Sequence, residues 1–312
     1  MRLTKTILLL ILILIFVFFP VFSADPYLLH LLILCFIFGT LVSNWNILFG
    51  YMGIFCFGQQ AFFGIGAYGS ALAAIRFGLP IPAAILAGGL LALVSSLLIG
   101  TPSLRLRGPY VALVTLAFAE VMRITCSNWV DVTRGQLGLA VPALFSGGNR
   151  MPYYYATLVL LLLSTGLLTK VMRSSFGYVA VAIRESQEAA ASLGIDIVKY
   201  KILAFMLSSF LSGVAGAFYG HYILILTPDI MGLPTMVSIL VMGMLGGLST
   251  LHGPLLGTLA VIFLSEYLRA VGQFRFIIYG ALIILSVLFI PGGLATIPRS
   301  VKSGIRSLRN NG

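Results

Sequence analysis

Long apolar segments separated by short polar connections extend along almost the whole chain. A membrane-spanning helix needs about 20 predominantly apolar residues. The segments lack the alternation of apolar and polar residues that a transmembrane β-strand requires, so they fit helices. The pattern predicts an all-α integral membrane protein with about ten transmembrane helices, at approximately residues 6–23, 29–46, 52–75, 82–100, 109–127, 154–172, 202–226, 233–250, 254–271 and 276–296.

Two of these segments, residues 52–75 and 233–250, are rich in glycine. Glycine weakens a helix and lets neighbouring backbones approach closely, so we interpret both segments as broken or re-entrant helices. Non-helical backbone at membrane depth is tolerated where protein or a water-filled path surrounds it. The expected number of full spans is therefore eight to ten.

Charged residues make up only 9% of the chain, whereas an ordinary soluble domain carries about a quarter. The net charge of +11 indicates orientation rather than nucleic-acid binding, because Lys and Arg concentrate on the cytoplasmic side of membrane proteins. Even numbers of predicted spans separate the basic clusters, so all clusters and both termini are expected to be cytoplasmic. The clusters are Arg2 and Lys5; Arg105 and Arg107; Lys170, Arg173, Arg184, Lys199 and Lys201; and Arg299, Lys302, Arg306 and Arg309, while Arg76, Arg134, Arg150 and Arg275 are expected outside.

The first apolar segment has basic residues before it, as a signal peptide does, but Phe22 fits poorly three residues before a cleavage at Ala24. We interpret residues 1–27 as an uncleaved N-terminal span. Residues 28–298 are the expected transmembrane domain, and residues 299–312 are expected to form a basic cytoplasmic tail attracted to anionic lipid.

The longest polar connection, residues 173–200, carries the densest charge in the chain. Good helix formers from Glu185 to Leu193 are followed by Gly194, which predicts a short helix ended by a glycine turn. Apolar residues flank this helix and would allow it to dock into a groove on another protein; the alternative is a solvated linker helix. The flanking residues are Val181, Ile183, Leu193 and Ile195.

The glycine-rich segments are candidates for a translocation path, because interrupted apolar segments offer backbone and amide groups to a polar solute. Tight helix packing is the alternative interpretation. The candidate path residues are Gly58, Gln59, Gln60, Gly64, Gly66, Gly246 and Gly247. Ionisable residues in or near spans suggest an outer mouth at Glu120, Arg123 and Asp229, where charges can meet a zwitterion, although anchoring and turn roles also fit them.

Sequence motifs for chemistry are missing from the chain. Cys35, Cys56 and Cys126 have no metal-ligand spacing, and no G-x-x-x-x-G-K-[ST] loop is present to cradle a nucleotide. We therefore expect a transport protein rather than an enzyme, with no metal and no cofactor of its own. Energy would enter through a partner at the polar connection.

Several motifs resemble the permeases of ATP-binding-cassette importers for branched-chain amino acids (leucine, isoleucine and valine). The connection contains Glu188-Ala189-Ala190, three residues and Gly194, similar to the EAA loop of such permeases. Further similarity lies in NWNILFGYMGIFCFGQQAFFGIGAYGSAL, LRLRGPYVALVTLAFAEVMRI, AIRESQEAAASLGID and LVMGMLGGLSTLHGPLLG. The segment TRGQLGL departs from the family pattern, with Arg134 and Leu137 where the family has glycine and asparagine.

This resemblance implies a type II importer fold and a subunit that moves branched-chain amino acids or a related solute across a bacterial inner membrane. It implies a second permease chain, two ATPase subunits that use ATP and magnesium, and a periplasmic binding protein. The ATPases would contact Arg184, Glu185, Glu188, Ala189, Ala190, Gly194 and Ile195. The alternatives are a urea or short-amide importer permease and a stand-alone ion-coupled secondary transporter.

Overall fold

A computed structural model describes residues 14, 16–20, 25–103, 108–145, 147–268, 272, 277–281 and 293 of the 312-residue chain. The basic tail, most of the predicted first and tenth spans, and the residues Arg2, Lys5, Arg105, Arg107 and Arg275 lie outside this description. Residues 16–20 and 277–281, within the two partly described spans, are helical.

The described residues form helices joined by short connections and one two-stranded sheet. The helices are α1 (Pro26–Asn46), α2 (Gln59–Phe77), α3 (Ile81–Ser103), α4 (Pro109–Asn128), α5 (Val130–Thr133), α6 (Met151–Met172), α7 (Ser175–Glu185), α8 (Gln187–Ser192), α9 (Ile197–Ile223), α10 (Leu233–Gly246) and α11 (Gly253–Tyr267). A π-helical turn (Ile47–Tyr51) follows α1, and 3-10 turns occupy Gly135–Leu137 and Pro228–Met231. The strands are β1 (Leu139–Ala140) and β2 (Ile225–Leu226), paired antiparallel.

Five helices in the described part of the chain are long and apolar enough to cross a membrane. They are α1 with its π-helical turn, α3, α4, α6 and α9. This confirms a multi-pass, all-α membrane protein, and these five lie close to the predicted positions of their spans. The exact count of ten spans stays a prediction.

The two glycine-rich segments differ from simple spans in the way that their composition predicts. Helix α2 begins only at Gln59, after the non-helical residues 53–58, so the span predicted to start at residue 52 is interrupted at its beginning. Helix α10 has only 14 residues and ends at Gly246, before a turn that leads into α11. Both interruptions lie at one end of the helical bundle.

Close backbone contacts hold α2, α3 and α9 together. A Cβ atom at Gly66 would meet the backbone of Gly213 in α9, and one at Gly216 would meet the carbonyl of Phe63 in α2. Small residues at these crossings allow the extensive van der Waals contact that drives helix association in a membrane. Helix α1 packs between α6, α9, α10 and α11 and buries most of its residues.

Contacts between connections show which of them share a side of the bundle. Sheet β1–β2 joins the α5–α6 and α9–α10 connections, and Arg76 at the end of α2 donates to the Asp131 carbonyl at 3.1 Å. The α1–α2 and α10–α11 connections meet the α6–α9 connection at the opposite end, as described below. These groupings agree with the alternation of sides that the predicted spans require.

Arg134 adopts a left-handed conformation, with φ of 60°. This conformation favours glycine, because in other residues the Cβ atom crowds the backbone. Arg134 therefore carries backbone strain at a position where the resembled family has glycine. The neighbouring Gly135 and Gly138 also have positive φ and turn the chain into β1.

We predict that Gly66→Ala destabilises the protein by about 1–3 kcal/mol, because the added methyl group overlaps the α9 backbone. Thermal unfolding in detergent, followed by tryptophan fluorescence, measures the change. Gly166→Ala is the matched control, since a Cβ atom there meets nothing within 4 Å and alanine only improves helix propensity. Equal unfolding temperatures for the two variants would contradict the tight α2–α9 crossing.

Candidate coupling and translocation site

The polar connection between α6 and α9 folds into two short helices, α7 and α8. Ser186 separates them: its extended backbone ends α7, and its side chain accepts a hydrogen bond from the Ala189 amide at 3.2 Å to cap α8. Gly194 ends α8 with φ of +78°, while its amide donates to the Ala191 carbonyl and the Ile195 amide donates to the Ala190 carbonyl. This is the paired hydrogen-bond pattern of a glycine C-cap.

The predicted helix from Glu185 to Leu193 was therefore correct in its core and in its glycine stop, but wrong at its start. Glu185 belongs to α7, whose existence the sequence reasoning missed, and α8 begins at Gln187. The physical reason is Ser186, whose side chain competes for the local amides and favours a cap over a helix interior.

One face of the α7–α8 pair is buried against the bundle, and the other is exposed. Ile183 and Ala190 are buried and Ile195 is partly buried against the same apolar cluster. Exposed residues form a mixed apolar and polar surface on the other side. They include Tyr178, Val181, Glu188, Ala189 and Leu193, which is 80% exposed.

Arg184 connects this helix pair to both glycine-rich interruptions. Its Nη1 atom donates to the Gly50 carbonyl at 2.8 Å and to the Ser249 hydroxyl at 2.7 Å. Its other nitrogens pair with the Glu185 carboxylate, at 2.7 Å from Nη2. Gly53, with φ of +67°, lies so close that a Cβ atom there would be 3.0 Å from the Arg184 Cγ atom.

Asn46 also connects the α1–α2 interruption to the α10–α11 turn, next to the contacts made by Arg184. Its Nδ2 atom donates to the Thr250 carbonyl at 2.8 Å, and its Oδ1 atom accepts from the Ser249 amide at 3.0 Å. The Ser249 hydroxyl also donates to the Gly50 carbonyl at 2.7 Å. We call Asn46, Gly50, Arg184, Ser249 and Thr250 the coupling node. Three separate parts of the chain therefore meet here: the end of α7, the α1–α2 connection and the α10–α11 connection.

Sequence reasoning included Arg184 as a coupling residue but missed Asn46, Ser249 and Thr250. The sequence offered one indication, which is that the polar residue Asn46 stands at the end of an apolar segment. In the structure Asn46 is only 2% exposed. An amide there needs partners, but only the fold identifies them as residues two hundred positions away.

His252 lies two residues beyond the node. Burial lowers the pKa of His252 below its ordinary value, and the positive charge of Arg173 lowers it further. The ring is therefore neutral at pH 7. Proximity to Arg173, at the end of α6, supports the same-side placement of these connections.

Gln59 and Gln60 begin α2 and are fully buried. The Gln59 Nε2 atom donates to the hydroxyls of Ser208 and Ser212 in α9, at 3.0 Å for Ser208. The Gln60 Nε2 atom donates to the Phe57 carbonyl at 3.1 Å. Neither Oε1 atom has a hydrogen-bond partner within the described residues. The two serines are a part of this polar cluster that sequence reasoning missed, although their spacing of four residues places them on one helix face.

The other candidate path residues are glycines at tight packing contacts or at the end of a helix. A Cβ atom at Gly58 would be 2.6 Å from the Thr115 carbonyl of α4, and one at Gly64 would meet the Met231 side chain. Gly246 contacts the backbone of Gly253, and Gly247 has φ of 113°. Gly66 has a packing role, as described above. The structure therefore places Gly246 and Gly247 at the end of α10, next to the turn that carries Ser249 and Thr250.

The three residues proposed for the outer mouth lie close together. Arg123 and Glu120 form an ion pair on α4, with the Arg123 Nε atom 3.0 Å from a Glu120 oxygen. Asp229 is exposed in a 3-10 turn that packs against α4. A cavity of about 370 Å³ adjoins Glu120 and also reaches Gln60.

The remaining polar candidates have structural partners. His30 contacts the Tyr222 hydroxyl at 2.6 Å, and His221 lies between the Ser70 hydroxyl and the Pro142 carbonyl. Cys35, Cys56 and Cys126 are free and buried. Among the described residues, no group of three His, Cys, Asp or Glu residues could hold a metal ion.

Apolar spanning helices, interrupted helices and a charged connection hydrogen-bonded to the interruptions define this chain as a membrane transport permease. Residues 27–289 match the family described as branched-chain amino acid transport system, permease component, and the chain belongs to this family.

Individual relatives agree with the family. The chain is 28% identical to the high-affinity branched-chain amino acid transport system permease protein LivM of Escherichia coli K12 over 282 residues, covering 81% of this chain and 66% of the relative. It is 25% identical to the probable permease LivM of Methanocaldococcus jannaschii, covering 68% and 67%. It is 26% identical to the E. coli permease LivH, covering 61% and 66%. The match thus spans about two thirds of the length of these relatives. No solved structure matched the chain.

We predict that Arg184→Gln loosens the coupling node without unfolding the protein. Loss of the bonds to Gly50 and Ser249 removes about 1.5–3 kcal/mol of charge-assisted hydrogen bonding for each. Hydrogen exchange measured by mass spectrometry should become faster in residues 47–58 and 247–252. Lys199→Gln, an exposed substitution in the same charged connection, should leave both segments unchanged. Unchanged exchange in Arg184→Gln would contradict the node.

Proposed function

We propose that this chain is one of two permease subunits of an ATP-driven importer for branched-chain amino acids. Family membership and the names of its relatives support the substrate class. The coupling node is the observation that carries the mechanism, because it connects an exposed helix pair to the two interrupted helices.

In this proposal α8 is the contact point for an ATPase subunit. Its exposed surface combines Glu188 with Ala189, whose small side chain permits close approach, and the apolar Leu193. Such a surface suits docking of a short helix into a groove. Two ATPases would bind and hydrolyse ATP with magnesium, so the permease itself needs no cofactor.

Closure of the ATPases would displace α7 and α8 together. Arg184 would pass this displacement to Gly50 and Ser249, at the ends of α1 and α10. The non-helical residues 53–58 would then shift the start of α2, where Gln59 and Gln60 lie. Alternating access follows if this shift opens the path on one side of the membrane and closes it on the other.

The remaining parts of the assembly follow from the same proposal. A second permease chain completes the path, and a periplasmic binding protein delivers solute at the side of β1, β2 and Asp229. The membrane is the bacterial inner membrane, with the coupling node and both termini on the cytoplasmic side. The basic residues of the α6–α9 connection support this orientation.

Affinity purification of the tagged chain from its native membrane in mild detergent tests the assembly. We expect two ATPases and a second permease to be recovered with the wild-type chain and to be depleted with Gly194→Val. Valine is disfavoured at φ of +78°, so the end of α8 should be distorted. Recovery of the chain alone, with uptake driven by an ion gradient, would favour a stand-alone secondary transporter instead.

Two further variants test coupling. Glu188→Lys should abolish ATP-driven uptake in reconstituted vesicles while the protein remains inserted, because it reverses a charge on the docking surface. Gly194→Asn is the matched control for Gly194→Val, since asparagine tolerates the left-handed conformation better and should retain most uptake. Normal uptake by both Glu188→Lys and Gly194→Val would disprove the coupling role of α8.

A further inference from the structure

A cavity lies between the start of α2, the middle of α4 and the start of α10. Its volume is about 370 Å³. Apolar side chains form most of its wall, including Leu113, Leu116 and Ala117 of α4 and Leu233 of α10. Two polar residues also line the cavity, the fully buried Gln60 and the half-exposed Glu120.

Both polar side chains offer hydrogen-bond acceptors. The Gln60 Nε2 atom is occupied by the Phe57 carbonyl, so its amide orientation is fixed and its Oε1 atom remains without a partner in the described part of the chain. Glu120 is an acceptor only, and Arg123 occupies one position on each of its oxygens. The carboxylate therefore retains further acceptor capacity.

The position of Glu120 makes exposure to lipid unfavourable. It lies eight residues before the end of α4, which corresponds to about 12 Å along the helix axis. Its side chain is 47% exposed in the single chain, and that of Arg123 is 28% exposed. Charged side chains at such depth face a bundle interior or a water-filled cavity rather than lipid. This face of α4 therefore borders a hydrated path.

We propose, resting on the function proposed above, that this cavity is a solute-binding site that recognises a primary ammonium group attached to an aliphatic side chain. The ammonium group donates hydrogen bonds to the Glu120 carboxylate and the Gln60 Oε1 atom. The aliphatic side chain packs against Leu113, Leu116 and Leu233.

Arg123 lies one helical turn beyond Glu120 and is not part of the cavity lining. It fixes the Glu120 carboxylate through two hydrogen bonds. The acceptor positions that remain on the carboxylate therefore have a defined orientation.

The same arrangement discriminates against urea and short amides. A neutral amide donates hydrogen bonds but carries no positive charge to pair with Glu120. An ammonium group adds the Coulomb attraction between two opposite charges to its hydrogen bond with the carboxylate, whereas a neutral amide forms the hydrogen bond alone. The cavity therefore favours an amino acid over the alternative amide substrates.

Protection of an engineered thiol tests this site in the complete importer reconstituted in vesicles. Ala117→Cys places a thiol in the cavity wall, and its rate of maleimide labelling is measured with added solute. Leucine and 3-methylbutylamine should slow the labelling, whereas 4-methylpentanamide and urea should not. Ala83→Cys, exposed on α3 outside the cavity, should react equally with and without solute.

Variants of the acceptors identify the interacting groups. Glu120→Gln and Gln60→Leu should each raise the leucine concentration for half-protection by about tenfold or more. Glu120→Asp keeps the negative charge and should raise the leucine concentration for half-protection less than Glu120→Gln does. Asp131→Asn, an exposed substitution outside the cavity, is the control and should leave protection unchanged. Size-exclusion profiles matching the wild type establish that each variant is folded.

The outcomes separate this assignment from the proposed function. If ATP-driven leucine uptake occurs but leucine gives no protection, or the neutral amide protects equally, the assignment is wrong and the importer function stands. If the wild-type assembly shows no ATP-driven uptake of leucine, the proposed function is wrong and the assignment fails with it.

Discussion

The structure depends on hydrogen bonding of the irregular backbone between α1 and α2. Residues 53–58 leave the helical pattern next to apolar surroundings, where an unpaired peptide group costs several kcal/mol. Side chains from the rest of the bundle bond to this segment and to the π-helical turn before it. Trp45 donates to the Cys56 carbonyl at 2.8 Å, and Arg184 and Ser249 donate to the carbonyl of Gly50 in the turn.

The same constraint continues to the start of α2. The Phe57 amide donates to the Thr115 hydroxyl at 3.0 Å, and the Phe57 carbonyl accepts from Gln60. The interruption therefore draws partners from α1, α2, α4, α7 and the α10–α11 turn. A segment held in this way adopts a defined geometry. Each neutral bond contributes about 1 kcal/mol net, and the bond from the Arg184 guanidinium contributes about 1.5–3 kcal/mol. No single bond therefore fixes the segment alone.

Much of the fold was predictable from sequence, because the length and apolar composition of a segment are enough to identify a membrane-spanning helix. The interruptions before Gln59 and after Gly246 were also predictable from glycine content. The separation of α7 from α8 was not anticipated, since Ser186 acts through a local capping bond that composition does not reveal. The end of α8 at Gly194 was predictable because glycine is the usual residue at the left-handed position that follows a helix.

The candidate site was predictable only in part. Glu120 and Arg123 were recognised as a pair because their spacing places them on one helix face. Gln59 and Gln60 are adjacent in sequence and were both predicted to line the translocation path, but the fold gives them different surroundings. Gln59 contacts α9, whereas Gln60 reaches the cavity beside α4. Asn46 and Ser249 were missed because their partnership is a long-range contact, which no local pattern encodes.

Burial of the native cysteines has a practical consequence. The chain contains three, and all of them are buried among packed side chains, with Cys56 fully enclosed. Thiol reagents react with accessible thiolates, so these positions are poor targets in the folded protein. The three cysteines should therefore react little with thiol reagents, so spectroscopic probes can be attached to cysteines introduced at chosen positions. Distances between two such probes can then follow the helices through a transport cycle.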